Sequence, residues 1–276
     1  MKLVIIEPLG VNDEKLLSMA KDMLPADLEI VYYNTRVTDT ETLIERGRDA
    51  DIIAVSNLPM NADVINGCKN LKMLSVAFTG VDHVDLEAAK AKGVKVSNAA
   101  GYSNEAVSEL VLCMMLALLR NVPQVEARCR AGQTKDGLVG VELMGKIVGI
   151  VGVGAIGTRT AELCHAFGCK ILGNKRHVRG NEPDYIEFVS LEELLSRSDI
   201  VSLHCPLNED SRGMINKDTI AKMKPGALLI NAARGPVVDS QALADALNSG
   251  YLGGAGIDVF ETEPPLNPAH PLLHSK

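Results

Sequence analysis

The sequence predicts an α/β fold with two open parallel sheets, and three observations carry that prediction. The chain has 276 residues, enough for two domains at ~100–200 residues each. Two successive series of short, nearly continuous apolar runs alternate with helical patterns, as expected for parallel strands covered on both faces and joined by crossover helices. A glycine-rich turn, Gly152-Val153-Gly154-Ala155-Ile156-Gly157, heads the second series between a strand pattern and a helix pattern.

In the first series Lys2–Pro8, Leu28–Asn34, Ile52–Asn57, Met73–Thr79 and Lys95–Asn98 read as strands. Helices are expected near Asp13–Met23, Thr40–Arg48, Ala62–Lys69 and Leu86–Lys92. Gly101-Tyr102-Ser103 then punctuates the chain, and a long helix is expected from about Asn104 to Arg120. Glu105 falls in its first turn, where the helix dipole favours a carboxylate. Its Leu110–Leu119 section is apolar all round, so it is expected to be buried on every side. Burial inside one domain and partial burial by a second subunit both satisfy that pattern.

The second series places strands at Lys146–Val153, Lys170–Gly173, Asp199–Cys205, Ala227–Ala232 and Gly254–Phe260. Helices near Ile156–Phe167, Leu191–Ser196, Lys217–Met223 and Ser240–Asn248 separate them. A boundary near Gly101 gives two domains, residues 1–100 and 101–276. The Pro-rich stretch Glu263–Pro268 reads as a loop.

Hydrophobic residues make up 46% and charged residues 23% of the chain, ordinary for a globular protein. The net charge of −7 and the lack of a basic tract argue against nucleic acid as a partner. Cys68, Cys113, Cys129, Cys164, Cys169 and Cys205 form no CxxC or zinc-ligand spacing. They fit small buried thiols in a reducing compartment. The apolar run Leu3–Ile6 stops at Glu7 and is too short for a secretory h-region. The Leu110–Leu119 run falls well short of the ~20 residues that cross a bilayer. These features together predict a cytoplasmic protein with no membrane partner.

The glycine turn has a direct physical reading. One glycine permits the tight turn, one lets the backbone approach a pyrophosphate, and one lets helix and strand pack closely. Free N–H groups at the helix N-terminus then meet the phosphates. About 20 residues further on, an acid normally holds the ribose 2′-OH. Here that place falls on Lys175, followed by Arg176. Cations pair with a 2′-phosphate rather than accept from a diol, which favours NADP over NAD. A solvated basic turn with loose cofactor choice is the other reading.

Several further motifs occur in order: Thr79-Gly80-Val81-Asp82-His83-Val84-Asp85, Asp199–Leu207, Leu229–Gly235 and Gly254–Glu263. With the glycine turn they make the chain closely resemble the D-2-hydroxyacid dehydrogenase family, which includes glycerate/hydroxypyruvate, D-lactate and phosphoglycerate dehydrogenases. The resemblance implies a flavodoxin-like substrate domain, a Rossmann cofactor domain and a homodimer formed through the latter. It implies reversible hydride transfer between NAD(P)H and a small 2-oxo or 2-hydroxy acid in a cleft between the domains. Arg234 would bind the substrate carboxylate and keto oxygen, and Glu263 would partner a catalytic histidine. Asp258 would hold the nicotinamide carboxamide. Gly152, Gly154, Ala155, Ile156 and Gly157 would form the pyrophosphate turn, with Cys205, Pro206, Ser211, Ala232 and Ala233 also against the cofactor. Thr79 and Gly80 would hold the substrate carboxylate, with Tyr102 near the hinge. Leu58 and Met60, in the loop Ser56–Met60, would offer an apolar wall to the substrate side chain or belong to the core.

Two departures from the family pattern stand out. No Thr-Pro-His-type segment follows Glu263, and His270, before Pro271, reads as a surface loop residue. The helix that returns to complete the family's first domain is also missing, so the resemblance implies a truncated chain that binds dinucleotide without turning over. The same fold also serves dinucleotide-sensing, corepressor-like proteins, but a sensor has no need of the Arg234–Glu263 pair.

Overall fold

Asn12, Asp39, Asn61 and Asp85 each stand just before an apolar-periodic stretch, and each side chain accepts the backbone N–H three residues on, at 2.8–3.0 Å. Such caps satisfy donors that a helix start leaves open. They fix four helices in the computed structural model, which describes residues 1–262 and 265–276. In chain order the first part runs β1 (Lys2–Ile5), α1 (Asp13–Met23), β2 (Glu29–Tyr32), α2 (Thr40–Gly47), β3 (Ile52–Val55), α3 (Ala62–Gly67), β4 (Met73–Val76), α4 (Leu86–Lys92) and β5 (Lys95–Asn98). The strands pair in parallel in the order β2-β1-β3-β4-β5, a flavodoxin-like order.

The second part runs α5 (Asn104–Leu119), α6 (Val122–Arg130), β6 (Ile147–Val151), α7 (Ala155–Ala166), β7 (Lys170–Asn174), β8 (Ile186–Phe188), α8 (Leu191–Arg197), β9 (Ile200–Leu203), α9 (Lys217–Ile220), β10 (Leu228–Asn231), α10 (Ser240–Asn248) and β11 (Gly254–Ile257). Its six strands are parallel in the order β11-β10-β9-β6-β7-β8. That is the doubly wound order of dinucleotide-binding sheets, with the topological switch between β6 and β9. The chain separates into two compact units, Met1–Tyr102 and Ser103–Lys276.

The structure departs from the sequence expectations at definite places. Most strands stop two or three residues early at their C-terminal ends, where the chain leaves the sheet to form loops. Helix α6 and strand β8 were not expected: α6 is largely polar, and β8 has only three residues. Helix α5 is not buried on every side. Ser108, Val111, Met115 and Leu119 form its buried stripe, while Leu110 and Cys113 are exposed. It packs on the glycine-lined edge of the sheet, where Cβ atoms at Gly254 and Gly256 would touch Leu118 and Met114. No single helix among the described residues is long and apolar enough to cross a membrane; the α5–α6 pair, bent by 63°, meets the length and composition test only together. All six cysteines are free, but Cys113 and Cys129 are exposed rather than buried.

Leu58 and Met60 are fully buried in the core of the first unit, so they do not form a wall facing a substrate. What holds their loop is Glu7, which sequence reading treats only as the end of an apolar run. Its side chain is fully buried. One oxygen accepts from the backbone N–H groups of Ser56, Asn57 and Leu58 at 2.8, 2.9 and 3.0 Å, and the other pairs with Arg36. Arg36 keeps its solvent contact and its bond to Asn57, so the cost of losing Glu7 lies in the buried Ser56 and Leu58 N–H groups left without an acceptor, ~1–3 kcal/mol for such a donor. Glu7→Ala should therefore lower stability by at least about that much in chemical denaturation. Glu7→Gln, which keeps an acceptor for the amides, should lose clearly less; equal losses would show that the carboxylate does not brace the loop.

Candidate active site

In the second unit the candidate residues gather at the C-terminal ends of the parallel strands, where open α/β sheets bind ligands. Gly152 follows β6 with φ +97°, a left-handed conformation that suits glycine. A Cβ there would stand 2.6 Å from the Cys205 amide nitrogen and 2.7 Å from the His204 carbonyl carbon. Gly157 is closer still: its Cβ would lie 2.2 Å from the Gly152 carbonyl oxygen. Gly154 has nothing within 4 Å of its Cβ position. It is the N-cap of α7 without a capping side chain, so the helix meets that open space with first-turn N–H groups at Ala155, Ile156 and Gly157. Two glycines are compelled by protein packing and one leaves room outside it, the arrangement a dinucleotide pyrophosphate requires.

The rim around this turn is fixed by backbone bonds. The Gly152 N–H donates to the Asn174 carbonyl at 2.8 Å, which places Lys175 beside the turn. Neither cation there stands alone: Lys175 Nζ is 2.8 Å from Glu182 Oε1, and Arg176 pairs with Asp210. Beyond β9, Cys205 is half-buried and Pro206 exposed. Ser211 is buried, and its hydroxyl donates to the Pro206 carbonyl at 2.7 Å and accepts from the Asn208 N–H at 2.9 Å. The hydroxyl thus braces its own loop. His204, with Nε2 2.9 Å from Ser202 Oγ, has its pKa pushed down to about 4 by burial and is neutral at pH 7.

Arg234 sits three residues beyond β10, and Asn231 organises its approach. The Asn231 side chain donates to the Arg234 carbonyl at 3.0 Å and accepts from the Ala233 N–H at 3.0 Å. Its backbone carbonyl accepts from the Asp258 N–H at 3.0 Å. The exposed Asp258, at the end of β11, is thereby tied to the segment that carries half-buried Ala232, buried Ala233 and half-buried Arg234. A Cβ on Gly235 would lie 2.0 Å from the Phe260 carbonyl carbon, so only glycine admits the loop beyond β11 at this point. Arg234 Nη1 donates to the Ala233 carbonyl at 2.7 Å, which orients the guanidinium.

Glu263 lies outside the described residues. Two residues before it stands Glu261, which sequence reading missed. Glu261 accepts from the Ser240 hydroxyl and has Oε2 2.8 Å from His270 Nε2. Burial opposes ionisation of Glu261, but the Ser240 and His270 bonds hold its carboxyl below the usual carboxylate range. His270 is not a free surface residue. It is half-buried, its ring stands edge-on to Phe260 at 5.1 Å, and its Nδ1 accepts from the Leu272 N–H.

In the first unit, Thr79 and Gly80 are half-buried beyond β4, and the Thr79 carbonyl accepts from Asn98 Nδ2 at 2.6 Å. Met60 bridges to Val84, joining the loop beyond β3 to the one beyond β4. Tyr102 is 60% exposed, edge-on to Phe78 at 6.3 Å.

This is the fold and turn of a dinucleotide-dependent oxidoreductase, and the comparisons make the class specific. Residues 112–276 match the family described as "D-isomer specific 2-hydroxyacid dehydrogenase, NAD binding domain". The chain is 37% identical to a hydroxypyruvate reductase of Blautia hydrogenotrophica over 90% of its own length and 79% of the relative's. It is 39% identical to a glyoxylate reductase of Thermofilum pendens over 84% of this chain and 71% of that one. The crystal structure of the TT0316 protein from Thermus thermophilus superposes with a TM-score of 0.89 at 35% identity, covering 100% of this chain and 86% of that one. The chain belongs to the D-isomer specific 2-hydroxyacid dehydrogenase family and is an NAD-binding oxidoreductase of that class.

The glycine geometry makes a test that separates folding from binding. Gly154→Val should leave the melting temperature nearly unchanged and weaken NADH binding at least ~10-fold, about 1.4 kcal/mol, in a fluorescence titration. Gly157→Ala should instead lower the melting temperature, because a backbone oxygen blocks its Cβ. Normal NADH binding by a folded Gly154→Val protein would place the pyrophosphate elsewhere.

Proposed function

We propose that this chain serves as a hydroxypyruvate or glyoxylate reductase that uses NADPH in preference to NADH. The observation that carries the reading is Arg234, held beyond the C-terminal end of β10 by Asn231 and the compulsory Gly235, with Asn231 also bonded to the Asp258 N–H. Relatives named for hydroxypyruvate and glyoxylate reduction support the substrate class.

The nicotinamide, when bound, supplies the hydride. Everything else falls to the chain. Arg234 pairs its planar guanidinium with the substrate carboxylate and draws electron density from the keto oxygen, keeping its charge at any working pH. The resemblance gives Glu263 the role of orienting a histidine proton donor and favouring its charged form, and no histidine of this sequence stands in the family's Thr-Pro-His context. Asp258 would hold the nicotinamide carboxamide. The N-terminus of α7 takes the pyrophosphate, flanked by Cys205, Pro206, Ala232 and Ala233. Ser211 contributes by holding the loop at Pro206.

Lys175 supports the cofactor preference because it directly follows the residue bonded to Gly152 and carries a positive charge where NAD-specific sites place an acid. A homodimer through the cofactor domain is supported by apolar side chains left open on and after α5 and α6: Leu110, Val122, Val139, Val141 and Met144 are all exposed.

Steady-state kinetics test the reading. Arg234→Lys should cut kcat/KM for hydroxypyruvate or glyoxylate by at least ~10²-fold, the scale of one lost transition-state donor, while cofactor binding persists. Turnover at the wild-type rate would remove Arg234 from the chemistry.

A further inference from the structure

The segment between β7 and β8 folds back on itself around one carboxylate. Both oxygens of Glu182 are engaged: Oε1 accepts from Lys175 Nζ at 2.8 Å and from the Arg179 N–H at 2.9 Å, and Oε2 accepts from the Gly180 N–H at 2.8 Å. Gly180, at φ +81°, turns its N–H into the cluster. The Glu182 side chain is 9% exposed, and that of Lys175 is 22% exposed. One ammonium and two backbone N–H groups thus converge on a single anion, a small concave site of the kind that binds phosphate groups. The Lys175 ammonium and these N–H bonds hold the Glu182 carboxyl at a pKa of about 2, so it stays charged at every working pH. The neighbouring cation, Arg176, has its own carboxylate in Asp210.

We propose that Glu182 is an internal occupant of the 2′-phosphate site, so that it, together with Lys175, sets the choice between NADPH and NADH. The inference rests on the reading that Lys175 faces the adenosine ribose. A phosphate monoester carries nearly two negative charges and presents three acceptor oxygens, so it competes for the Lys175 ammonium and the N–H groups of Arg179 and Gly180. A bare ribose diol brings no charge and leaves the Glu182 carboxylate in place. NADPH must therefore displace an ion pair that NADH does not disturb. The intrinsic preference of this basic turn for NADPH is held down by a carboxylate seven residues along the chain. Sequence reading sees only the cations.

The test is the ratio of dissociation constants for NADH and NADPH, measured by nicotinamide fluorescence in the wild-type chain, in Glu182→Gln and Glu182→Ala, and in Lys175→Met. Removing the carboxylate in either way should raise the ratio at least ~10-fold in favour of NADPH, and Lys175→Met should lower it. Two alternative substitutions guard against a defect special to one of them. If Lys175→Met lowers the ratio while both Glu182 variants leave it within about twofold, the internal-occupant inference is overturned and the reading of Lys175 stands. If no variant moves the ratio, Lys175 does not face the ribose, and both fall together.

Discussion

One residue carries three strands' worth of geometry. Gly152 donates its N–H to the carbonyl of the residue that ends β7, lies against the backbone that leaves β9, and has its carbonyl oxygen pressed against α7 where a Cβ at Gly157 would stand. No side chain fits at either glycine without moving backbone. That squeeze forces β6 to pass into α7 with almost no linker, and the bare first turn of the helix follows from it. So does the position of Lys175, one residue past the Asn174 bond. The turn therefore makes a ligand site as a by-product of sheet packing rather than through a set of dedicated side chains.

The same logic recurs on the far side of the sheet. Gly235 is pressed against the backbone at Phe260, and Asn231 ties together Ala233, Arg234 and Asp258 through its side chain and carbonyl. Arg234 thus stands on a short segment braced on both sides, which suits the carboxylate-pairing role proposed for it. The charges beyond β7 are of another kind. They are held by side chains and loop amides rather than by the packing of sheet backbone.

The alternation of apolar runs and helical patterns was enough to place ten of the strands, because parallel strands covered on both faces read as continuous apolar runs. The glycine turn was legible because its flanking strand and helix were. Other features depend on contacts that spacing does not encode. Glu7 reads as a terminator until the amides of Ser56–Leu58 are seen to bond to it. Strand β8 is too short to show a period. The apolar pattern of α5 could not say which face the chain covers, and the charges of Lys175 and Arg176 could not reveal Glu182 and Asp210. His270 looked like a loop residue because its partner, Glu261, is nine positions away on a turn.

The most direct test of the account is an amide chemical-shift map of the isotopically labelled chain titrated with NADH. The largest changes are expected at residues 152–157, at 174 and 175, and at 232–234 and 258, with residues in α1 and α2 unmoved. Saturable binding that leaves the 152–157 amides unshifted would contradict the claim that the turn between β6 and α7 holds the pyrophosphate.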